Sequence, residues 1–149
     1  MDKSFSISVI KHIERLDQAV GRHMPFPPFE NPFPRFTGMD FEEPLTTHEL
    51  QTLVRTMAES VGLTGYTFLA YQVKMDGETC GRIEWPANEY GTAYIEFESK
   101  ALDHYDTLIK ILSHELAHQF LRHYGIVYPE ELVNEKMTDV TSVLLGFGR

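Results

Sequence analysis

Two N-terminal stretches carry apolar residues at every third or fourth position, which predicts two amphipathic helices. The first stretch covers residues 5–20 and is followed by Gly21, where the helix is expected to end. Thr46 and Glu49 have the spacing of a capping box, and an apolar stripe follows over residues 50–61. Both stripes predict helices that pack against a core.

Three later stretches have the composition of β-strands. Residues 66–75 are rich in β-branched and aromatic side chains and are followed by the turn signal Asp76-Gly77. Residues 79–85 continue as a second strand, which Pro86 stops. Residues 92–98 alternate between two faces, as expected of a half-buried strand. We therefore predict a three-stranded antiparallel sheet in which each strand pairs with the next.

Two further helices are predicted after the strands. Asp103 can cap the first, which extends to about His123 and is stopped by Gly125. Pro129 suits the first turn of the second, which extends to about Leu145. The whole pattern predicts an α+β fold.

Residues 24–44 interrupt this order with closely spaced prolines and phenylalanines. Proline lacks a donor and restricts the residue before it, so a regular helix is excluded here. The phenylalanines argue against a solvated linker. We expect an extended segment laid over the core, with a segment that shapes a cleft as the alternative.

Length and composition predict one compact domain over residues 1–149, with 42% hydrophobic and 23% charged residues. No apolar run approaches the ~20 residues that cross a bilayer, and the N-terminus does not resemble a secretory signal. The single cysteine, Cys80, excludes an intramolecular disulfide. These features predict a cytoplasmic protein.

The charge balance bears on the class of partner. Thirteen basic and 22 acidic residues give a net charge of -9. A surface of this sign repels the phosphates of nucleic acids, and the chain contains no basic run. No direct binding of nucleic acid is expected.

The segment His114-Glu115-Leu116-Ala117-His118 lies within a predicted helix. Residues four apart share a helix face, so His114 and His118 can bind one ion, and neutral imidazole is a good zinc ligand. Glu115 is rotated by about a quarter turn and can reach a water on the metal without displacing a ligand. The segment therefore predicts a zinc site with Glu115 as the catalytic general base.

A catalytic zinc usually has three protein ligands and one open position. Glu135 and Asp139 share a face of the following helix. Glu135 can be the third ligand, and Asp139 can hold one imidazole through its second ring nitrogen. Glu130 and Glu131 compete for the ligand role, although acidic residues are expected at a helix N-terminus anyway.

Together, His114-Glu115-x-x-His118 and Glu135-x-x-x-Asp139 resemble the motifs of the gluzincins, zinc metallopeptidases with a glutamate ligand. The helix that carries Glu135 is also similar to the ligand helix of the ImmA/IrrE-type peptidases. These are small bacterial zincins, often cytosolic, some of which cleave DNA-binding repressors.

The resemblance covers roughly residues 92–147. It implies a zincin-like fold in which an active-site helix and a ligand helix follow the sheet. It implies that His114, His118 and Glu135 bind zinc and that the substrate is a protein or peptide, such as a DNA-binding repressor. It also implies that residues 92–98 form an edge strand on which an extended peptide binds by strand addition.

Peptide hydrolysis further needs a donor that stabilises the oxyanion. The sequence offers five candidates without choosing among them: His104, Tyr105, His123, Tyr124 and Tyr128.

Three interpretations of Cys80 are open. Free cysteine usually behaves as a small, partly buried hydrophobe. Alternatively, its thiolate is an inhibitory fourth zinc ligand, since Cys80-Gly81 resembles the cysteine switch of matrix metalloprotease propeptides. In the third interpretation it is the third ligand of a deformylase-like amide hydrolase, because peptide deformylases combine His-Glu-x-x-His with an upstream cysteine.

A zinc metallopeptidase is the leading prediction. Its rival from another class is a non-catalytic binding or sensor domain on a zincin scaffold, in which the zinc is structural. That rival predicts four protein ligands. Glu115 argues against it, because a structural site does not need that carboxylate.

Overall fold

A computed structural model of the protein describes residues 3–20, 45–74, 81–88, 90–100 and 104–147. The described helices are α1 (Lys3–Val20), α2 (Thr47–Ser60), α3 (Tyr105–His123) and α4 (Glu131–Leu144). The described strands are β1 (Thr67–Gln72), β2 (Gly81–Glu84) and β3 (Thr92–Phe97). The predicted α+β class is confirmed. The segment 24–44, the predicted cap Asp103 and the cysteine Cys80 lie outside the described residues.

The N-termini of α2 and α4 can be compared with the predicted caps. At α2 the Thr46 hydroxyl accepts from the Glu49 amide at 3.1 Å, and the Glu49 carboxylate accepts from the Thr46 amide at 2.9 Å. This capping box is confirmed. The placement of Pro129 in the first turn of α4 is wrong, because the extended residue Glu130 is the N-cap and the helix begins at Glu131.

The chain divides into two compact units. Residues 37–116 form one, called here the sheet unit, and residues 1–36 with 117–149 form the other, called here the helical unit. The helix α3 contributes residues to both.

The sheet is mixed, with the strand order β1-β3-β2. β1 runs parallel to β3, and β2 runs antiparallel to it. The predicted antiparallel sheet of sequential neighbours is therefore wrong. The predicted edge position of residues 92–98 is also wrong, because β3 lies between the other two strands. In both orders the strands run up, down and up, so the alternation of side chains could not distinguish them, and the turn signal favoured the wrong order.

The central position of β3 is reflected in the burial of Glu96 on its outer face. Ile95 and Phe97 face the core, while Glu96 faces the other way and is still only 8% exposed. In register, Glu96 lies between Tyr71 of β1 and Arg82 of β2 and accepts hydrogen bonds from both side chains. These bonds, the one from Arg82 first, lower the pKa of Glu96, and the bond to Glu96 raises the pKa of Tyr71 to about 12. The side chains of Tyr71, Arg82 and Glu96 therefore connect both outer strands to β3.

The core of the sheet unit includes the apolar stripe of α2, which contacts β1. The amide of Ala70 donates to the Gln51 side-chain oxygen at 2.8 Å and joins the strand to the helix. Burial of the predicted stripe is confirmed. The buried side chains of α2 and of the inner sheet face are Leu50, Leu53, Val54, Met57, Ala58, Phe68, Ile83, Ala93, Ile95 and Phe97.

In the helical unit, α3 ends where the sequence predicts. Gly125 has φ +69°, a left-handed conformation that glycine adopts without strain. The amide of Ile126 then donates to the Leu121 carbonyl at 2.9 Å, and Ile126 is buried. This cap ends the helix and starts the short return to α4.

A buried histidine joins α1 to α4. His12 is 1% exposed, and its Nε2 lies 2.7 Å from the Thr141 hydroxyl, which itself donates to the Met137 carbonyl at 2.7 Å. Since the threonine proton is already used, Nε2 must carry the ring proton and Nδ1 must accept from the Tyr128 hydroxyl. His12 is therefore neutral and satisfied on both sides.

The stability of the protein is expected to fall as the pH drops through this histidine's range. Burial first, and the charge of Arg15 second, lower the pKa of His12 from 6.5 to about 4. Between these values the unfolded chain binds the proton and the folded chain does not, so unfolding becomes easier toward acid. The contribution of neutral His12 to the free energy of unfolding is fully present above pH 6.5, and about 3 kcal/mol of it is lost by pH 4.

The check is urea unfolding of the wild type and of His12→Asn at pH 7, 5.5 and 4. The wild type is expected to be the more stable protein at pH 7, and the difference is expected to shrink toward pH 4. A difference that does not change with pH would contradict the assignment.

Candidate metal centre

Helix α3 places His114 and His118 one turn apart. Its positions 112, 116 and 120 are buried leucine and phenylalanine side chains, which fix the orientation of the helix. His114, Glu115 and His118 are half-buried. Both imidazoles are therefore presented from one face of a helix that is held by its apolar residues.

The side chain of Glu135 lies close to those of both histidines. His114, His118 and Glu135 each offer a ligand atom, and these atoms all lie within 4.8 Å of one another. Nε2 of His118 lies 3.0 Å from a carboxylate oxygen of Glu135. The structure brings together the three predicted ligands, and the group can hold a metal ion.

The donor set fits a zinc ion. Two imidazole nitrogens and one carboxylate oxygen form a ligand set found at catalytic zinc, where bonds of ~2.0–2.2 Å separate neighbouring ligand atoms by roughly 3.3 Å. The distance of 3.0 Å between His118 and Glu135 is close to that separation. Glu130 and Glu131 are exposed and are not members of the group found among the described residues.

Thr138 contacts the opposite side of the His118 ring. Its hydroxyl lies 3.3 Å from Nδ1 of His118 and donates to the carbonyl of Asn134 at 2.7 Å. Sequence reasoning missed this residue because it searched for a carboxylate. The sequence offered a partial signal, since Thr138 follows Glu135 by three positions and shares its helix face, but this spacing does not identify the partner of the hydroxyl. Asp139 is exposed, and its role in holding an imidazole stays a prediction.

The other predicted site residues differ in their burial and in their contacts. Glu115 is half-buried directly after His114, and its role as general base stays a prediction. The Tyr128 hydroxyl is hydrogen-bonded to His12, which argues against a free oxyanion donor. Tyr124 packs against His123, with ring centroids 4.9 Å apart.

His104 is exposed and Tyr105 is half-buried. The roles of His104, Tyr105, His123 and Tyr124 as oxyanion donors stay predictions. Cys80 lies outside the described residues, so its three interpretations stay open. Among the described helices, none combines the length and apolar character that a membrane span requires.

No family model matches the sequence, and no curated protein or solved structure matches it. The resemblance to gluzincins and to ImmA/IrrE-type peptidases stays a prediction that rests on the motif residues. The capacity of the group to hold a metal ion rests separately on its geometry.

Proposed function

We propose that the protein is a zinc metallopeptidase in which His114, His118 and Glu135 bind the ion. The observation that carries the proposal is the meeting of these three side chains within 4.8 Å. Catalytic zinc sites typically use three protein ligands and leave a further position for water or substrate. Glu115 directly follows His114 and is half-buried, and a carboxylate at this position supports catalysis over a purely structural role.

In this proposal each residue has a separate task. Zinc, when bound, supplies Lewis acidity that activates water and polarises the scissile carbonyl. Glu115 accepts a proton from the attacking water and delivers it to the nitrogen of the departing amine, so that it ends the cycle unprotonated. Glu135 contributes the negative charge of the ligand set, and His114 and His118 contribute neutral donors.

The proposed substrate is a peptide bond within a protein or peptide. The similarity of the α4 motif to the ImmA/IrrE-type ligand helix supports a regulatory protein, such as a DNA-binding repressor, as the natural substrate. This support is an analogy between motifs.

Metal removal tests the function. We expect the full chain, stripped by a chelator and then given one equivalent of zinc, to cleave members of a complex peptide mixture. New termini detected by mass spectrometry should appear with zinc and disappear when excess chelator is added. Zinc without protein is the control, and cleavage that persists in excess chelator would contradict the proposal.

X-ray absorption of the zinc-loaded protein separates the rival functions. The proposal predicts nitrogen and oxygen neighbours at ~2.0–2.2 Å with at least one position not supplied by the protein. A sulfur neighbour at ~2.3 Å would identify Cys80 as a ligand. Four protein ligands without cleavage of any peptide would favour the binding or sensor domain.

A further inference from the structure

Two threonines on one face of α4 are held in the same way. Each donates its hydroxyl proton to the carbonyl four residues earlier, Thr138 to Asn134 and Thr141 to Met137, both at 2.7 Å. Both side chains are completely buried. A threonine hydroxyl has one proton to donate, so each oxygen can serve a second partner only as an acceptor.

The second partner of each threonine is a histidine ring nitrogen. Thr141 lies against Nε2 of His12 and Thr138 lies against Nδ1 of His118. Because the oxygen accepts, the nitrogen that faces it must carry a proton. For His118 this places the proton on Nδ1 and leaves the lone pair of a neutral ring on Nε2.

Nε2 is also the nitrogen that faces Glu135, at 3.0 Å. A lone pair and a carboxylate that face each other repel unless a cation or a proton lies between them. The contact with Thr138 leaves Nε2 as the nitrogen available to a metal ion, and the contact with Glu135 places a carboxylate beside that nitrogen. Thr138 determines the position of the ring proton from one side of His118. On the other side, Glu135 offers a further ligand atom.

Resting on the metal site proposed above, we propose that Thr138 is a positioning residue for it. By accepting the proton of Nδ1, Thr138 holds the ring of His118 so that Nε2 faces the ion beside Glu135. Metal-bound histidines commonly donate their second ring proton to a fixed acceptor, which sets the tautomer and the ring orientation. Here the acceptor is a neutral hydroxyl whose own orientation is fixed by the helix backbone.

Zinc affinity of three variants of the full chain tests this role. Thr138→Val keeps the shape of the side chain and removes the acceptor, so we expect the zinc dissociation constant to rise by about tenfold to a hundredfold. Thr138→Ser restores a hydroxyl and should stay within about threefold of the wild type. Thr141→Val is the matched control, since it removes the same arrangement from His12. It should lower the melting temperature and leave zinc affinity unchanged. Competition with a chromogenic chelator gives the affinities.

A second measurement reports the ring directly. In the zinc-loaded wild type, nitrogen-15 NMR should show His118 with the metal on Nε2 and a slowly exchanging proton on Nδ1. In Thr138→Val that proton should exchange faster, even where the variant remains folded.

The outcomes separate the two proposals. If the wild type binds zinc and Thr138→Val matches it in affinity and proton exchange, the positioning role is overturned and the metal site stands. If zinc is bound through Nδ1 of His118, the positioning role is likewise overturned. If the wild type binds no zinc, the metal site itself is wrong and the positioning role falls with it. Equal losses of affinity in Thr138→Val and Thr141→Val would show a general effect of destabilising α4, which also overturns the specific role.

Discussion

Glu135→Gln is expected to raise the dissociation constant for zinc by on the order of 10²–10³. Structural zinc sites of zinc-finger peptides bind the ion with an apparent free energy of roughly 10–16 kcal/mol, so by comparison one ligand of a small set accounts for several kcal/mol. The amide of glutamine keeps the volume of the side chain and loses the only negative charge in the group of His114, His118 and Glu135. The loss should therefore appear as weaker binding by a folded protein.

Glu131→Gln is the matched control for this substitution. Glu131 lies on the same helix, is exposed, and was an alternative ligand on sequence grounds. Zinc titration of both variants should show weak binding by Glu135→Gln and wild-type binding by Glu131→Gln. Weakened binding by Glu131→Gln, with Glu135→Gln unaffected, would move the third ligand to the start of α4.

The three ligands were predictable because the signals that place them are local. Helical periodicity alone puts His114 and His118 on one face. Glu135 lies on the following helix, and the glycine that ends the first helix, Gly125, is also a local signal. The structure confirms that these residues meet.

The strand order was not predictable in the same way, because it depends on contacts between distant segments. Residues 66–75 and 79–85 carry a turn signal between them, yet β3 lies between β1 and β2. The relevant clue was Glu96, a carboxylate on the strand that is buried between Tyr71 and Arg82. From sequence alone it looked like one member of an ordinary polar face.

Thr138 was missed for a different reason, the chemistry of its side chain. A hydroxyl that donates to its own helix is usually counted as satisfied and of no further interest. The structure shows that this bond leaves the oxygen available as an acceptor for His118. Such a role can be read from geometry and from the count of protons, but spacing alone does not reveal it.

Glu115→Gln is expected to keep zinc bound and to lower kcat for peptide hydrolysis by about 10²–10⁴. Glutamine has nearly the same shape as glutamate and remains on the half-buried side of α3, so the ligands beside it are left in place. It cannot accept the proton of the attacking water. Because only the transition state needs that proton transfer, the loss should fall on kcat while KM changes little.

The measurement is steady-state kinetics on a peptide found to be cleaved by the zinc-loaded wild type, with zinc content determined on the same samples. Glu131→Gln again serves as the control, since it makes the same chemical change on an exposed helix surface. Wild-type turnover by Glu115→Gln would remove Glu115 as the base and leave the metal site intact. Loss of zinc together with turnover would instead make Glu115 part of the ligand set. Full zinc content with turnover lost is the one result that assigns proton transfer to this carboxylate.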